Sequence, residues 1–202
     1  MEKSLEKFQS LLPLGYLYLI VLGIVKESLF YYQLDINILK YSSLMDVLIS
    51  PIAELTSRLA IIWATLFLVG LSLIFQKLLV KNSDKKWVRR ILGQKPEENS
   101  FEKEEIKKIV VQQCVVFLMV ALGTFFLGTG LSNGEKVARK IRENNLSYDY
   151  KISFESDKQE EVFLINSNSS YYFYITKGNK NLKIAPTGSI KTIELINNKK
   201  LK

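Results

Sequence analysis

The sequence predicts an α-helical membrane protein with three transmembrane helices, an interfacial or re-entrant amphipathic helix and a small C-terminal antiparallel β domain. Three segments without a formally charged side chain, residues 8–25, 59–76 and 109–134, are each long enough to cross the roughly 30 Å hydrocarbon core of a bilayer as a helix. After residue 147 the pattern changes to short β-rich segments separated by turn residues. We therefore expect a transmembrane domain over residues 1–134, a juxtamembrane linker over 135–147 and a β domain over 148–198.

The three predicted spans cover residues 8–25, 59–80 and 109–131. They consist mainly of Leu, Ile, Val and Phe, which insert favourably at mid-membrane, whereas one Asp, Lys or Arg there costs about 2.5–3.5 kcal/mol. Burial of all three segments in a soluble core is the alternative, and a chain of 202 residues is small for such a core. A secretory signal is an alternative for the first segment, but no Ala-x-Ala-like cleavage site follows it.

The distribution of basic residues predicts the orientation. The connection 81–108 carries nine Lys and Arg against six Asp and Glu, so we expect it in the cytoplasm. The connection 26–58 carries three basic and four acidic residues and suits the outer side. This assigns a cytoplasmic N-terminus and a β domain on the outer side of the membrane, although the basic cluster over 136–142 favours the opposite. An even number of spans, with residues 30–55 inserted, is the costlier alternative.

Residues 42–55 predict an amphipathic helix on the outer side of the membrane. Apolar residues recur there at helical spacing, while Asp46, Ser50 and Glu54 fall on the opposite face. Pro51 is expected to kink or divide the helix. We expect the segment to lie at the interface or to form a shallow re-entrant hairpin. Asp46 and Glu54 would form an acidic collar that concentrates cations at an outer mouth, and a merely solvated face is the alternative.

Small residues on two of the predicted spans indicate close helix packing. Thr124, Gly128 and Ser132 follow one another at intervals of four on the third span, and Ala60 and Ala64 make a weaker version on the second. Such a stripe allows the backbone of another helix to approach. The contact is expected either within one subunit or between the copies of a homo-oligomer such as a tetramer.

Two groups of polar residues are predicted at the cytoplasmic face. Gln112 and Gln113 would line a polar ring or pore if subunits surround an axis, and interfacial solvation is the alternative. The basic residues of the connection are expected to bind the headgroups of anionic membrane lipids or an acidic surface on a protein partner. They are Lys81, Lys85, Lys86, Arg89 and Arg90.

Five β-rich segments, residues 148–155, 160–166, 171–177, 182–185 and 190–197, predict a small antiparallel sheet or partly open barrel. A domain this small buries little surface, so we expect it to pack on a neighbouring subunit, on the membrane face or on a partner. Alternation places Tyr171 and Phe173 on one face and Tyr172 and Tyr174 on the other. A nucleotide site is the weaker expectation for this domain, since aromatic and basic side chains share one hairpin. Its candidate residues are Tyr172, Tyr174, Lys177 and Lys183.

The composition argues against an enzyme and against a cofactor. The chain has no histidine, which removes the usual general base and transition-metal ligand. Its one cysteine, Cys114, cannot form an intrachain disulfide and is expected to be a small packed residue. No phosphate loop, dinucleotide fingerprint, serine-nucleophile motif or metal-ligand spacing occurs, and we expect no direct binding of nucleic acid.

Two segments resemble small bacterial inner-membrane proteins found in defence islands. They are INILKYSSLMDVLISPI, residues 36–52, and INSNSSYYFYITKGNKNLKIAPTGSIKTIEL, residues 165–195. The layout of the whole chain is similar to that of the membrane subunit of the Kiwa anti-phage system. This resemblance includes no diagnostic motif and transfers no functional residue. It implies an oligomeric membrane sensor that acts with a soluble, DNA-associated effector.

These observations lead to one functional hypothesis and two alternatives. The first is a non-enzymatic, homo-oligomeric protein of an anti-phage defence system, which senses envelope disturbance and signals to a soluble cytoplasmic effector through residues 81–108. The alternative from another class is a membrane-permeabilising channel or effector gated by a nucleotide signal bound at a cytoplasmic β domain. A passive anchor for another protein is the third possibility. The side on which the C-terminus lies separates the first two.

Overall fold

The computed structural model describes residues 2–57, 59–83, 85–91, 103–156, 158–196 and 198. The helices are α1 (Glu2–Tyr32), α2 (Leu44–Ser57), α3 (Leu59–Lys81), α4 (Lys86–Ile91) and α5 (Lys103–Arg142). The strands are β1 (Tyr150–Phe154), β2 (Gln159–Ser167), β3 (Tyr171–Thr176), β4 (Leu182–Pro186) and β5 (Ile190–Leu195). Short 3₁₀ turns cover Ile38–Lys40 and Thr187–Ser189. The chain divides into two compact units, residues 1–51 with 126–202, and residues 52–125.

Two helical segments in the described part of the chain are long and apolar enough to cross a membrane, Leu12–Tyr32 and Lys107–Arg142. Large apolar side chains cover much of their exposed surface, for example Leu17 at 56% exposure and Val120 at 59%. The predicted combination of a mostly helical chain with a C-terminal antiparallel sheet is confirmed. The second predicted span coincides with α3, several of whose first side chains lie outside the described residues, so its membrane crossing stays a prediction.

Helices α1 and α5 are longer than the predicted spans. Helix α5 continues through residues 135–142, which the sequence assigned to the juxtamembrane linker. Both helices are followed by a residue in the left-handed conformation, Asp35 with φ 58° and Asn144 with φ 56°. The amide of Asn145 donates to the carbonyl of Lys140 at 2.9 Å, as expected of a helix that ends in a Schellman motif. The turn residues, rather than the first charged residue after each apolar run, therefore set where these helices end.

Glycines bring α5 directly against α1. A Cβ atom at Gly130 would lie 2.6 Å from the carbonyl oxygen of Lys26, and one at Gly134 would lie 2.5 Å from that of Phe30. The two contacts advance by four residues on both helices, so α1 and α5 run parallel. Close approach of backbones at a Gly-x-x-x-Gly pair is a recurrent packing mode between membrane helices.

A third glycine fixes α2 against α1. A Cβ atom at Gly23 would lie 1.9 Å from the carbonyl oxygen of Val47, so only glycine allows this approach. A helix forms over the predicted amphipathic segment, and it continues through Pro51, which is buried within it. The first half of α2 therefore packs as part of the α1–α5 unit rather than lying free at a surface.

The strands form one antiparallel sheet in the order β4-β3-β2-β1-β5. Strands β4 and β5 lie at opposite edges of this order, yet only Thr187–Ser189 separate them. Four residue steps span at most about 14 Å, whereas the outer strands of a flat five-stranded sheet would be about 19 Å apart. The sheet must therefore curl, which favours the partly open barrel among the two predicted forms.

Both faces of β3 are covered by other side chains, and alternation divides them as predicted. Tyr172 and Tyr174 face the inside of the curled sheet with Ile152, Val162 and Ala185. Tyr171 and Phe173 face the other way, toward the end of α1 and the segment that follows it. The β domain therefore packs on its own chain, which differs from the predicted neighbour, membrane face or partner.

The unit of residues 52–125 contains α3, α4 and the first half of α5. Its buried cluster consists of Leu79 of α3, Val88 of α4 and Val110 of α5, all at 1% exposure or less. Cys114 packs against this cluster, as expected for a small packed residue. The cluster holds α4 across one end of the α3–α5 pair.

Candidate functional site

The candidate functional site is the contact between the β domain and the C-terminal end of α1. Tyr31 of α1 and Phe173 of β3 are 1% and 0% exposed, and their ring centroids are 4.9 Å apart. Tyr41 lies edge-on to Tyr171 at 5.4 Å and to Phe173 at 6.2 Å. Ile38, also buried, completes the cluster. Aromatic pairs at these distances add to the stabilisation that burial alone provides.

Polar contacts fix the β2–β3 turn to the start of α2. The carboxylate of Asp46 accepts hydrogen bonds from the amide and the hydroxyl of Ser169, both at 3.0 Å. The side-chain amide of Asn168 donates to the carbonyl of Tyr41 at 3.0 Å. We call these contacts of Asp46, Ser169, Asn168 and Tyr41 the turn clamp. It joins residues more than 120 positions apart in the sequence.

Asp46 also caps its own helix. Its carboxylate accepts from the amide of Ser43 at 2.9 Å, and the Ser43 hydroxyl accepts from the amide of Asp46 at 3.1 Å, which is a capping box. Partial burial raises the pKa of Asp46, but the hydrogen bonds from Ser43 and Ser169 outweigh burial and hold the pKa below its usual value. The predicted acidic collar residue is thus engaged in the turn clamp, while Glu54 lies half-buried on the second half of α2.

A buried polar group links α1 to α2 beneath the turn clamp. The ammonium of Lys26 donates to the Ser50 hydroxyl at 3.0 Å and lies 3.5 Å from the carboxylate of Glu27. The Ser50 hydroxyl in turn donates to Glu27. The charged side chains are only 13% and 15% exposed, so their charges are compensated by each other and by Ser50 rather than by water. The sequence prediction placed Ser50 on the polar face but did not foresee its partners.

The predicted stripe of small residues lies away from the observed helix contact. Thr124, Gly128 and Ser132 are all exposed, and no heavy atom lies within 4 Å of a Cβ built at Gly128. Instead, Gly130 and Gly134 face α1. Their Gly-x-x-x-Gly spacing is readable in the sequence. Each of these glycines lies two positions after a member of the predicted stripe, on another face of the same helix. On α3, Ala64 is exposed, and the side chain of Ala60 lies outside the described residues.

The predicted polar ring residues Gln112 and Gln113 are exposed on α5. Neither side chain has a hydrogen-bond partner among the residues that the structure describes. An amide that lies in a hydrocarbon region needs such a partner.

The four predicted nucleotide-site residues do not form one open site. Tyr174 is 3% exposed in the interior of the curled sheet, where burial raises the pKa of its hydroxyl, and Tyr172 packs beside it. Lys177 forms an ion pair with Glu161 at 2.6 Å, and Lys183 forms one with Glu160 at 3.0 Å. The aromatic rings are thus core residues, and both cations already have carboxylate partners.

The predicted basic contact residues surround α4. Lys81, Lys85, Lys86 and Arg90 are exposed, while the side chain of Arg89 and residues 92–102 of the connection lie outside the described residues. Of the α4 side chains that the structure describes, only Val88 is buried, while Lys86 and Arg90 are exposed.

Taken together, the aromatic cluster joins the β domain to α1, and the turn clamp joins it to the start of α2 through hydrogen bonds. Comparisons of the chain with models of known protein families, with curated proteins and with solved structures find no match.

Proposed function

We propose that this chain is a non-enzymatic, three-span protein of the bacterial inner membrane that senses envelope disturbance through its β domain and signals to a soluble cytoplasmic partner. The observation that carries the proposal is the packing of Phe173 on Tyr31, with the turn clamp beside it. Because β3 is fixed to α1 and α2 by both, a force on the sheet acts directly on helices within the membrane.

The direction of the helices supports an odd number of spans. Helices α1 and α5 run parallel, so both enter from one side of the membrane and end on the other. The chain that connects the end of α1 to the start of α5 then has to return across the bilayer. Helix α3 is the apolar helix in that connection, with no charged residue from Leu59 to Gln76. With α3 as the returning span, the proposed topology assigns the β domain and the connection 81–108 to opposite faces of the membrane.

Helix α5 offers a route for the signal. It is a continuous helix of 40 residues from Lys103, next to the basic connection, to Arg142, next to the β domain. A shift at the Gly130 and Gly134 contacts would therefore move the cytoplasmic end of α5. Such coupling requires that the stimulus favour one packing state over another.

Self-association is part of the proposal. In the membrane, the exposed Thr124, Gly128 and Ser132 would present a small-residue face to a second copy, and the Gln112 amide would find a partner there. The resemblance to membrane proteins of defence islands supports an oligomeric sensor in anti-phage defence. Light scattering of the detergent-purified protein tests this directly, and a monomer at all concentrations would contradict it.

Cysteine labelling tests the topology. In a Cys114→Ser background, which has no other cysteine, Asn181→Cys places one thiol on the β domain and Lys86→Cys places one on α4. We expect a membrane-impermeant maleimide to label Asn181→Cys in intact spheroplasts and Lys86→Cys only after lysis. The reverse pattern would place the β domain in the cytoplasm and favour a channel or effector gated from that side.

The partner is tested by co-purification with the protein encoded by the neighbouring gene. We expect wild-type protein to retain the partner in detergent, and charge reversal at Lys85 and Lys86 to release it. Charge reversal at Lys136 and Lys140, which are also exposed, is the matched control. Equal recovery with both double variants, or no recovery with wild type, would contradict signalling through the connection.

A further inference from the structure

An apolar groove lies between α3 and α5 within the unit of residues 52–125. It has a volume of about 390 Å³ and is open along its length. Its walls include Leu68 and Phe75 of α3 and Cys114 and Phe117 of α5. Both helices are apolar at this depth, so the groove would open to the hydrocarbon region of a bilayer. An open apolar groove in that position is filled by acyl chains rather than by water.

One end of the groove carries exposed positive charge. Leu79, Val88 and Val110 pack together there, which places α4 across the end where α3 finishes and α5 begins. Lys107 lies three residues before Val110 and seven before Cys114, on the groove side of α5. Lys85, directly before α4, and Lys86 and Arg90 within it are exposed near Val88 in the sequence.

Among the residues that the structure describes, these four cations have no carboxylate partner. No side chain of Lys85, Lys86, Arg90 or Lys107 forms an ion pair within the described part of the chain. The lysines of the β domain differ in this respect, since Lys177 and Lys183 are both paired with glutamates. The groove thus has an apolar body, a cationic end and, at Gln113, an amide without a hydrogen-bond partner in the described residues. An acyl chain suits the apolar body, a phosphate suits the cationic end, and an ester carbonyl suits the Gln113 amide.

We propose that the groove binds an anionic phospholipid, with one acyl chain between α3 and α5 and the headgroup phosphate held by Lys107 and the cations of α4. The proposal rests on the membrane placement proposed above and adds a specific ligand to it. Basic pockets between helices at the cytoplasmic face of a membrane are a known means of recognising anionic headgroups. A second copy of the chain fits less well, because a symmetric contact here would bring like charges together.

Fluorescence quenching by brominated lipid tests the proposal. Trp63→Phe leaves Trp87 of α4 as the single tryptophan of the full chain. The protein is reconstituted in phosphatidylcholine nanodiscs that contain increasing fractions of brominated phosphatidylglycerol or, separately, brominated phosphatidylcholine. We expect the anionic lipid to quench Trp87 at a several-fold lower mole fraction, and this preference to decline as salt is raised. Equal quenching by the two lipids would overturn the proposal.

Paired variants separate the groove from general surface charge. Lys107→Gln is expected to weaken the preference about fivefold, since one cation near an anionic surface contributes on the order of that factor. Lys107→Arg should retain the preference, and Lys136→Gln should leave it unchanged. Cys114→Phe fills the groove and should abolish saturable quenching, while Val116→Phe, at a position 54% exposed, should not. Identical behaviour of Cys114→Phe and Val116→Phe would also overturn the proposal.

The two proposals fail in distinguishable ways. If the membrane placement is wrong, the protein is recovered without detergent as a monodisperse species and does not enter nanodiscs. If only the lipid site is wrong, the protein reconstitutes in phosphatidylcholine and shows no headgroup preference. Circular dichroism of each variant in nanodiscs verifies that it is folded before quenching is compared.

Discussion

Removal of the Phe173 ring should release the β domain from α1 without unfolding the domain. Phe173 is fully buried against Tyr31 and Ile38, on the face of β3 that points away from the interior of the curled sheet. Truncation of a buried phenylalanine to alanine typically costs 3–5 kcal/mol, because apolar area is exposed and a cavity remains. Since about 1.4 kcal/mol corresponds to a tenfold change, Phe173→Ala should raise the opening constant of the contact by roughly a hundredfold to a few thousandfold.

Hydrogen–deuterium exchange measures this opening. The amide of Ser169 donates to Asp46 across the contact, so a peptide that covers residues 165–171 reports on the turn clamp. A peptide from β1 reports on the β1–β2 ladder, where Ile152 pairs with Glu160. We expect Phe173→Ala to accelerate exchange in the first peptide and to leave the second unchanged.

A matched variant makes the prediction sharper. Ile152 is also fully buried, but in the interior cluster of the sheet. Ile152→Ala should accelerate exchange in both peptides, because it destabilises the domain itself. If Phe173→Ala affects β1 as strongly as Ile152→Ala does, the contact and the domain are one cooperative unit, and the reasoning that separates them is refuted. No acceleration in residues 165–171 would refute it equally.

Three further predictions concern the helices and the turn clamp. Gly134→Val should lower the melting temperature in detergent by several degrees, because the valine side chain meets the backbone of α1, whereas Gly70→Val, at a position with open space around it, should have a smaller effect. Asp46→Asn should destabilise the protein by about 1 kcal/mol at pH 7. The pKa of Asp46 is lowered in the folded state, so the carboxylate stabilises the fold fully above its unfolded-state pKa of about 3.9, and this stabilisation is lost as the pH falls through the folded-state pKa. The melting temperatures of wild type and Asp46→Asn should therefore converge at low pH. A difference that stays constant with pH would contradict the assignment. Ser50→Ala should destabilise by about 1–3 kcal/mol, because Lys26 and Glu27 lose a buried partner, while Ser72→Ala, whose hydroxyl bonds only within its own helix, should change the melting temperature little.

Local pattern in the sequence was sufficient to predict the β domain closely. The five strands fall where β-rich segments alternate with turn residues, and the division of Tyr171 and Phe173 from Tyr172 and Tyr174 follows from the two-residue period. What alternation could not show is that both faces are covered. Tyr172 and Tyr174 were candidates for a nucleotide site, whereas they lie in the interior of the curled sheet, and Phe173 on the other face packs on Tyr31 of α1.

The site depends on pairs of residues that are distant in the sequence. Asp46 and Ser169 are separated by 123 positions, and no pattern within either segment predicts that the two residues are in contact. The acidic residue was assigned to a pore mouth because its helical face was polar, but a turn from another domain occupies that face. Gly130 and Gly134 carried a readable signal, and only the choice between two overlapping stripes of small residues was missed.

One compact unit draws on both parts of the chain, residues 1–51 and 126–202. If the membrane placement proposed above holds, the first helix therefore enters the bilayer during synthesis long before its glycine-containing partner helix has been translated. Until then, the glycine-lined backbone surface of that helix and its pair of Lys26 and Glu27 can contact only lipid or the insertion machinery. Assembly of this protein should accordingly be late and abrupt, and ribosome-stalled chains that stop short of residue 126 should be especially vulnerable to membrane proteases.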